Sequence, residues 1–152
     1  MSKPLLAGLI AVVIGAGAFV FTSTSSSQEI VVYKSPTCGC CAKWIDHIEE
    51  AGYKVQVRDT NDMQPIKMQH GIQRQAQSCH TAIVDGYFVE GHVPAEFITK
   101  LLEEKPDIKG ITVPGMPQGS PGMEGPNPVD YDVIAIGKDG EASIFGRVTA
   151  GS

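Results

Sequence analysis

The sequence predicts an α/β domain, and three observations carry that expectation. A short β-branched run leads at once into a helical pattern and then a second alternating run. Two further apolar runs are joined by Asp85-Gly86, the strongest short hairpin signal. A helix with one apolar face follows them.

Taken in order, Glu29–Lys34 (EIVVYK) reads as a buried strand, and Ser35-Pro36-Thr37-Cys38-Gly39 as a turn. Cys40 to Ala51 reads as a helix, with Trp44, Ile45, Ile48 and Ala51 at helical spacing and Gly52 as its stop. Tyr53 to Arg58 alternates as a strand does, and Asp59 or Thr60 is placed to cap a short helix running to His70-Gly71. Thr81–Val84 and Tyr87–Glu90 form the hairpin. Pro94 suits a first helical turn, and Phe97, Ile98, Leu101 and Leu102 give the helix from Ala95 to Lys105 its apolar face. The order β-α-β-α-β-β-α, with a βαβ start, an antiparallel hairpin and a closing helix, is the thioredoxin arrangement.

Beyond it the composition shifts. Gly110 to Pro128 holds five Pro and five Gly in 19 residues, with Met116 and Met123 among them. A second hairpin follows: Tyr131 to Gly137, the turn Lys138-Asp139-Gly140, then Glu141 to Val148. Ordered structure on both sides makes the loop a crossing of the domain surface rather than a tail. The expected organisation is residues 1–27 as leader and linker, 28–109 as the thioredoxin-like domain, and 110–152 as a C-terminal extension of Pro/Gly/Met loop and β-hairpin.

The leader has the pattern of an export signal. Lys3 precedes 17 residues, Leu5 to Phe21, without a polar or charged side chain, and a Ser/Thr run follows. Ala16-Gly17-Ala18 offers a small-x-small cleavage site. The alternative is an uncleaved membrane anchor, although at 1.5 Å per residue the run reaches only about 25 Å. The hydrocarbon core is roughly 30 Å. Export places the domain in the periplasm. Without Lys3, 11 basic residues face 17 acidic ones, a net charge of −6. That balance excludes nucleic-acid binding, which needs a basic face. A monomer is expected.

A domain of this size builds a core without staples, so the four cysteines point to chemistry. Cys38 and Cys41 form a C-x-x-C at a strand–helix junction, where a helix N-terminus stabilises a thiolate. These two are the candidate catalytic pair for thiol-disulfide exchange. Cys40 departs from that pattern, since a third thiol competes in exchange but suits a soft metal. Cys79 sits in the turn entering the hairpin, where thioredoxin folds usually carry a cis-proline, and is expected to face the other three. As disulfides, the pairings left open are 38–41 with 40–79, or 38–40 with 41–79, because adjacent cysteines bridge poorly.

The compact C-x-C-C is a poor match to zinc spacing. Thiolate with thioether selects Cu(I), and two methionines in a surface loop are hard to explain as core. The candidate ligands are Cys38, Cys40, Cys41 and Cys79, with Met116, Met123 and His80 as further donors to several copper ions. His92 is expected as a turn or cap residue, His47 as an exposed helix histidine, and Trp44 as a core anchor.

Four segments in this order, Cys38-Gly39-Cys40-Cys41-Ala42-Lys43-Trp44, Ser78-Cys79-His80-Thr81-Ala82, Gly91-His92-Val93-Pro94 and Gly115-Met116 through Met123-Glu124, resemble those of the CopG-type copper-resistance proteins. The resemblance spans about residues 29 to 148. It implies an exported, thioredoxin-like protein whose C-terminal extension helps bind metal. It further implies a multinuclear copper cluster bridged by cysteine sulfurs, with Cys38, Cys40, Cys41 and Cys79 at the cluster positions. Interconversion of Cu(I) and Cu(II) beside periplasmic copper efflux or chaperone proteins is the function it implies. A thiol-disulfide oxidoreductase and a passive Cu(I) chaperone are the alternatives.

Overall fold

Residues 28–150 are described in a computed structural model of the chain. The leader and Ser/Thr linker, residues 1–27, lie outside the described residues, and with them the choice between cleavage and anchoring. Among the described residues, no helix is long and apolar enough to cross a membrane.

Among the described residues, seven strands and three α-helices follow in the order β1 (Glu29–Lys34), α1 (Gly39–Glu50), β2 (Lys54–Asp59), α2 (Gln64–Gln69), β3 (Thr81–Val84), β4 (Tyr87–Glu90), α3 (Ala95–Glu104), β5 (Ile108–Thr112), β6 (Tyr131–Gly137) and β7 (Ala142–Val148). They build one mixed sheet in the order β2-β1-β3-β4-β5-β6-β7. β1 pairs parallel with β2 and antiparallel with β3, while β4 pairs parallel with β5 across the α3 crossover. The Asp85-Gly86 turn has both residues at positive φ, 47° and 84°, which matches the twist of the strands it joins.

The β4 alternation divides the interior into two layers. Val89 packs with Ile30, Val32 and Ile111 beneath Trp44 and Ile48 of α1 and Leu101 of α3. Phe88 points to the other face and packs with Ile72, Ala76 and Ile136.

Two expectations are corrected. The second helix begins at Gln64, not near Asp59 or Thr60. The Thr60 hydroxyl and Asp62 main chain close a local turn, and Asp62 Oδ1 accepts from the Gln64 N–H. That side-chain competition holds residues 60–62 out of the helix. The start of the Pro/Gly stretch is strand, because Ile108–Thr112 is β5, bridging β4 and β6. Gly110 reads as a turn signal but answers a packing need: a Cβ there would stand 2.6 Å from Phe88 Cγ.

Candidate metal centre

Cys38 is the N-cap of α1, Cys40 and Cys41 lie in its first turn, and Cys79 stands in the segment that enters β3. β3 is the immediate neighbour of β1, so the β1–α1 junction and the β3 entry meet at one end of the sheet. One sulfur from each of the four cysteines lies within 4.8 Å of the other three. The expected convergence of Cys79 on the C-x-C-C segment is therefore present. Cys41 is buried and the other three are half-buried.

Of the pairings left open, Cys38–Cys41 is a disulfide, with Cys40 and Cys79 free. The Cys40 sulfur lies 3.5 Å from that of Cys38. The Cys79 turn is built without a cis-proline, since no cis peptide occurs among the described residues. Burial pushes the Cys79 thiol up to about 11, and the neighbouring Cys40 adds to it. A cation that displaces the proton relieves both penalties.

Two histidines flank Cys79. His80 is fully buried, with Nδ1 3.3 Å from the Cys79 sulfur, and its ring lies 4.4 Å from that of Trp44. Its Nε2 is buried and makes no hydrogen bond. Burial, with His92 and Lys67 nearby, holds its pKa well below the ordinary value, so the ring is neutral and a lone pair is available to a metal. His92 is the turn residue expected, with the Val93 N–H donating to the Gly91 carbonyl across it at 2.9 Å, but its side chain is fully buried. Its Nε2 is 3.0 Å from the Cys79 sulfur, and its Nδ1 is 2.7 Å from the Pro121 carbonyl. A carbonyl oxygen only accepts, so Nδ1 carries the proton and Nε2 presents its lone pair to the sulfur. Cys79, His80 and His92 form a second group of donor atoms within 4.8 Å, sharing Cys79 with the first.

The Pro/Gly loop folds back onto this end. Buried Gly122 lies against α1, where a Cβ would meet the Cys40 carbonyl at 2.5 Å and the Trp44 amide at 2.9 Å. Met123 is half-buried, its N–H donating to the Ser120 carbonyl and its own carbonyl accepting from Gly119. Met116 is 40% exposed and left-handed at φ 51°. The loop's defined contact with the donor group is thus the Pro121 carbonyl on His92. His47 is half-buried and accepts the Ala95 N–H, the first amide of α3, so it is not the exposed residue expected. Trp44 is the anchor expected, fully buried and donating to the Val93 carbonyl at 2.8 Å.

The donor chemistry fits copper. Reduction of the Cys38–Cys41 bond leaves four thiols in mutual reach, with two neutral imidazoles at the edge. Thiolates suit Cu(I) and imidazoles suit both oxidation states.

The family model DUF411, described as a protein of unknown function, matches residues 76–123, which hold Cys79, both flanking histidines and both loop methionines. No curated protein matches the chain. Two solved structures titled copper resistance protein CopG, form 1 and form 2, match it with 44% identity and a TM-score of 0.76. Each alignment covers 80% of this chain and 98% of the other. With a solved relative 44% identical and so covered, the chain belongs to the CopG family of copper resistance proteins.

Proposed function

We propose that this is a periplasmic copper protein of copper resistance that holds several copper ions through Cys38, Cys40, Cys41 and Cys79 and interconverts Cu(I) and Cu(II), one electron per ion passing to or from an external one-electron redox partner. The observation that carries it is the mutual approach of four sulfurs within 4.8 Å. Sulfurs that close share bridged ions more readily than they fill separate tetrahedral sites. His80 and His92 add imidazole donors at the Cys79 side, and Met123 and Met116 are the loop's soft donors. The β1-α1-β2 unit followed by the β3–β4 hairpin and α3 supports a thioredoxin-like kernel, with β5, the loop and β6–β7 as its extension.

In this reading copper is the substrate, and the chain's residues supply binding and orientation. Cys40 and Cys79 give up their protons as copper enters, and Cys38 and Cys41 become available once their disulfide is reduced. The Pro121 carbonyl keeps His92 in the tautomer that offers Nε2 to the site. The apolar leader and Ser/Thr linker support export.

A second reading, thiol-disulfide exchange by Cys38 and Cys41, is favoured by the bond they make at the start of α1. Cys40→Ser separates the two. Copper bridging loses a shared sulfur, so bound copper per chain should fall by more than half, while disulfide reduction of an insulin substrate stays near wild type. Full copper stoichiometry in Cys40→Ser refutes the bridged site.

A further inference from the structure

Beneath the Cys79 turn lies an ion pair that neither reading uses. Lys67 from α2 is 3% exposed and Glu90 at the end of β4 is 0% exposed, and their side chains bond directly. Both reach the same short segment. Glu90 Oε1 accepts the Ser78 N–H at 2.6 Å, and Oε2 accepts the Thr81 hydroxyl at 2.6 Å. Lys67 Nζ donates to the Ser78 carbonyl at 3.1 Å and to Thr81 Oγ1 at 3.1 Å. The pair therefore holds residue 78 by both main-chain groups and residue 81 by its hydroxyl. The two residues bracketed between them are Cys79 and His80. Gly91 completes the grip, because its N–H donates to the His80 carbonyl at 3.0 Å and a Cβ there would stand 2.6 Å from Ser78 Cβ.

A buried ion pair is weak evidence of stability, because apolar residues of similar volume fill such a space as well or better. What apolar residues do not supply is direction. Three-residue turns without proline have several backbone conformers, and this one is selected by four directed bonds from two charged groups. Those bonds go to the flanks of Cys79, leaving its sulfur turned toward the C-x-C-C side. We propose that Lys67 and Glu90 are positioning residues that fix the Cys79-His80 segment in the conformation copper binding requires, doing there what a cis-proline does elsewhere. The proposal rests on the copper reading above.

The test uses the full chain carrying Lys67→Met with Glu90→Leu, which removes both charges together and so strands neither. Thermal unfolding should stay near that of wild type. Copper retained against a Cu(I) chelator should weaken by about 10–100-fold, the usual effect of removing support behind a ligand. In copper-free, reduced protein, alkylation of Cys79 relative to Cys40 should accelerate severalfold. Lys67→Met with Glu90→Gln should recover part of both, since the amide keeps an acceptor for Ser78 and a partner for Thr81. If the first variant does not fold, Thr81→Val removes two of the four bonds of the bracket and should give a smaller change in the same direction. A folded variant with wild-type copper retention and an unchanged Cys79 alkylation rate overturns the proposal. If wild type takes up no copper, the functional reading fails, and an unchanged alkylation rate still overturns the bracket on its own.

Discussion

Gly122→Ala tests whether the Pro/Gly loop is docked on the sulfur site. Gly122 sits at φ +84°, and an alanine there carries about 1–2 kcal/mol of left-handed strain. Its new methyl meets the Cys40 carbonyl at 2.5 Å and the Trp44 amide at 2.9 Å. Both are main-chain atoms of α1, so neither rotates away, and the loop must lift. Lifting breaks the bond between His92 Nδ1 and the Pro121 carbonyl, worth about 0.5–1.5 kcal/mol net. The total is then about 1.5–3.5 kcal/mol, summing the strain and the lost bond. Gly115→Ala is the control, because Gly115 has φ +76° but nothing within 4 Å of a Cβ, so only the strain applies. Urea unfolding followed by Trp44 fluorescence gives the energies, and amide exchange over residues 114–126 gives the docking. Gly122→Ala should lose more stability than Gly115→Ala, lose loop protection, and release copper faster. Equal losses in the two variants, with wild-type loop protection in both, refute the docked loop.

Replacing Met116 and Met123 together by leucine should preserve the fold, since the volumes are similar, while weakening copper retention; retention equal to wild type removes the thioethers from the donor set. Copper-free protein should lose stability as pH falls from about 7 to about 5.5. Burial keeps the His80 pKa well below its ordinary 6.5, and burial lowers His92 too, so the unfolded chain binds protons that the folded chain refuses. Each such histidine costs up to about 1.4 kcal/mol per pH unit below the unfolded pKa. A urea midpoint that is flat or rises over that interval contradicts the neutral, buried assignment.

Much of this architecture is legible in the chain because local and global signals agree. Glu29–Lys34, Thr81–Val84, Tyr87–Glu90 and Tyr131–Gly137 have the same limits in sequence and structure, each bounded by turn residues or a charged end. β5 is hidden because Gly110 lies at the head of a Pro/Gly run, and only the place of Phe88 across the strand pair explains that glycine. The four-sulfur group follows from topology, since Cys79 is far from Cys41 in sequence but β3 lies beside β1. His92 is different. Gly91-His92-Val93-Pro94 looks like a turn, and the side chain's inward course depends on Gly91 at φ +75° and on a carbonyl 29 residues away. A histidine preceded by glycine after a strand end was the available signal, and it does not specify a direction. Lys67 and Glu90 are likewise ordinary charges in sequence, and only their burial against one turn sets them apart.

The most direct measurement is copper content, thiol titration and the absorption spectrum of the full chain purified without oxygen and loaded with Cu(I), then oxidised stepwise. More than one copper per chain, four cysteines protected from alkylation, and thiolate-to-copper charge-transfer bands that appear on oxidation are the predicted result. A protein that takes up no copper after the Cys38–Cys41 disulfide has been reduced, with all four thiols open to alkylation, contradicts it.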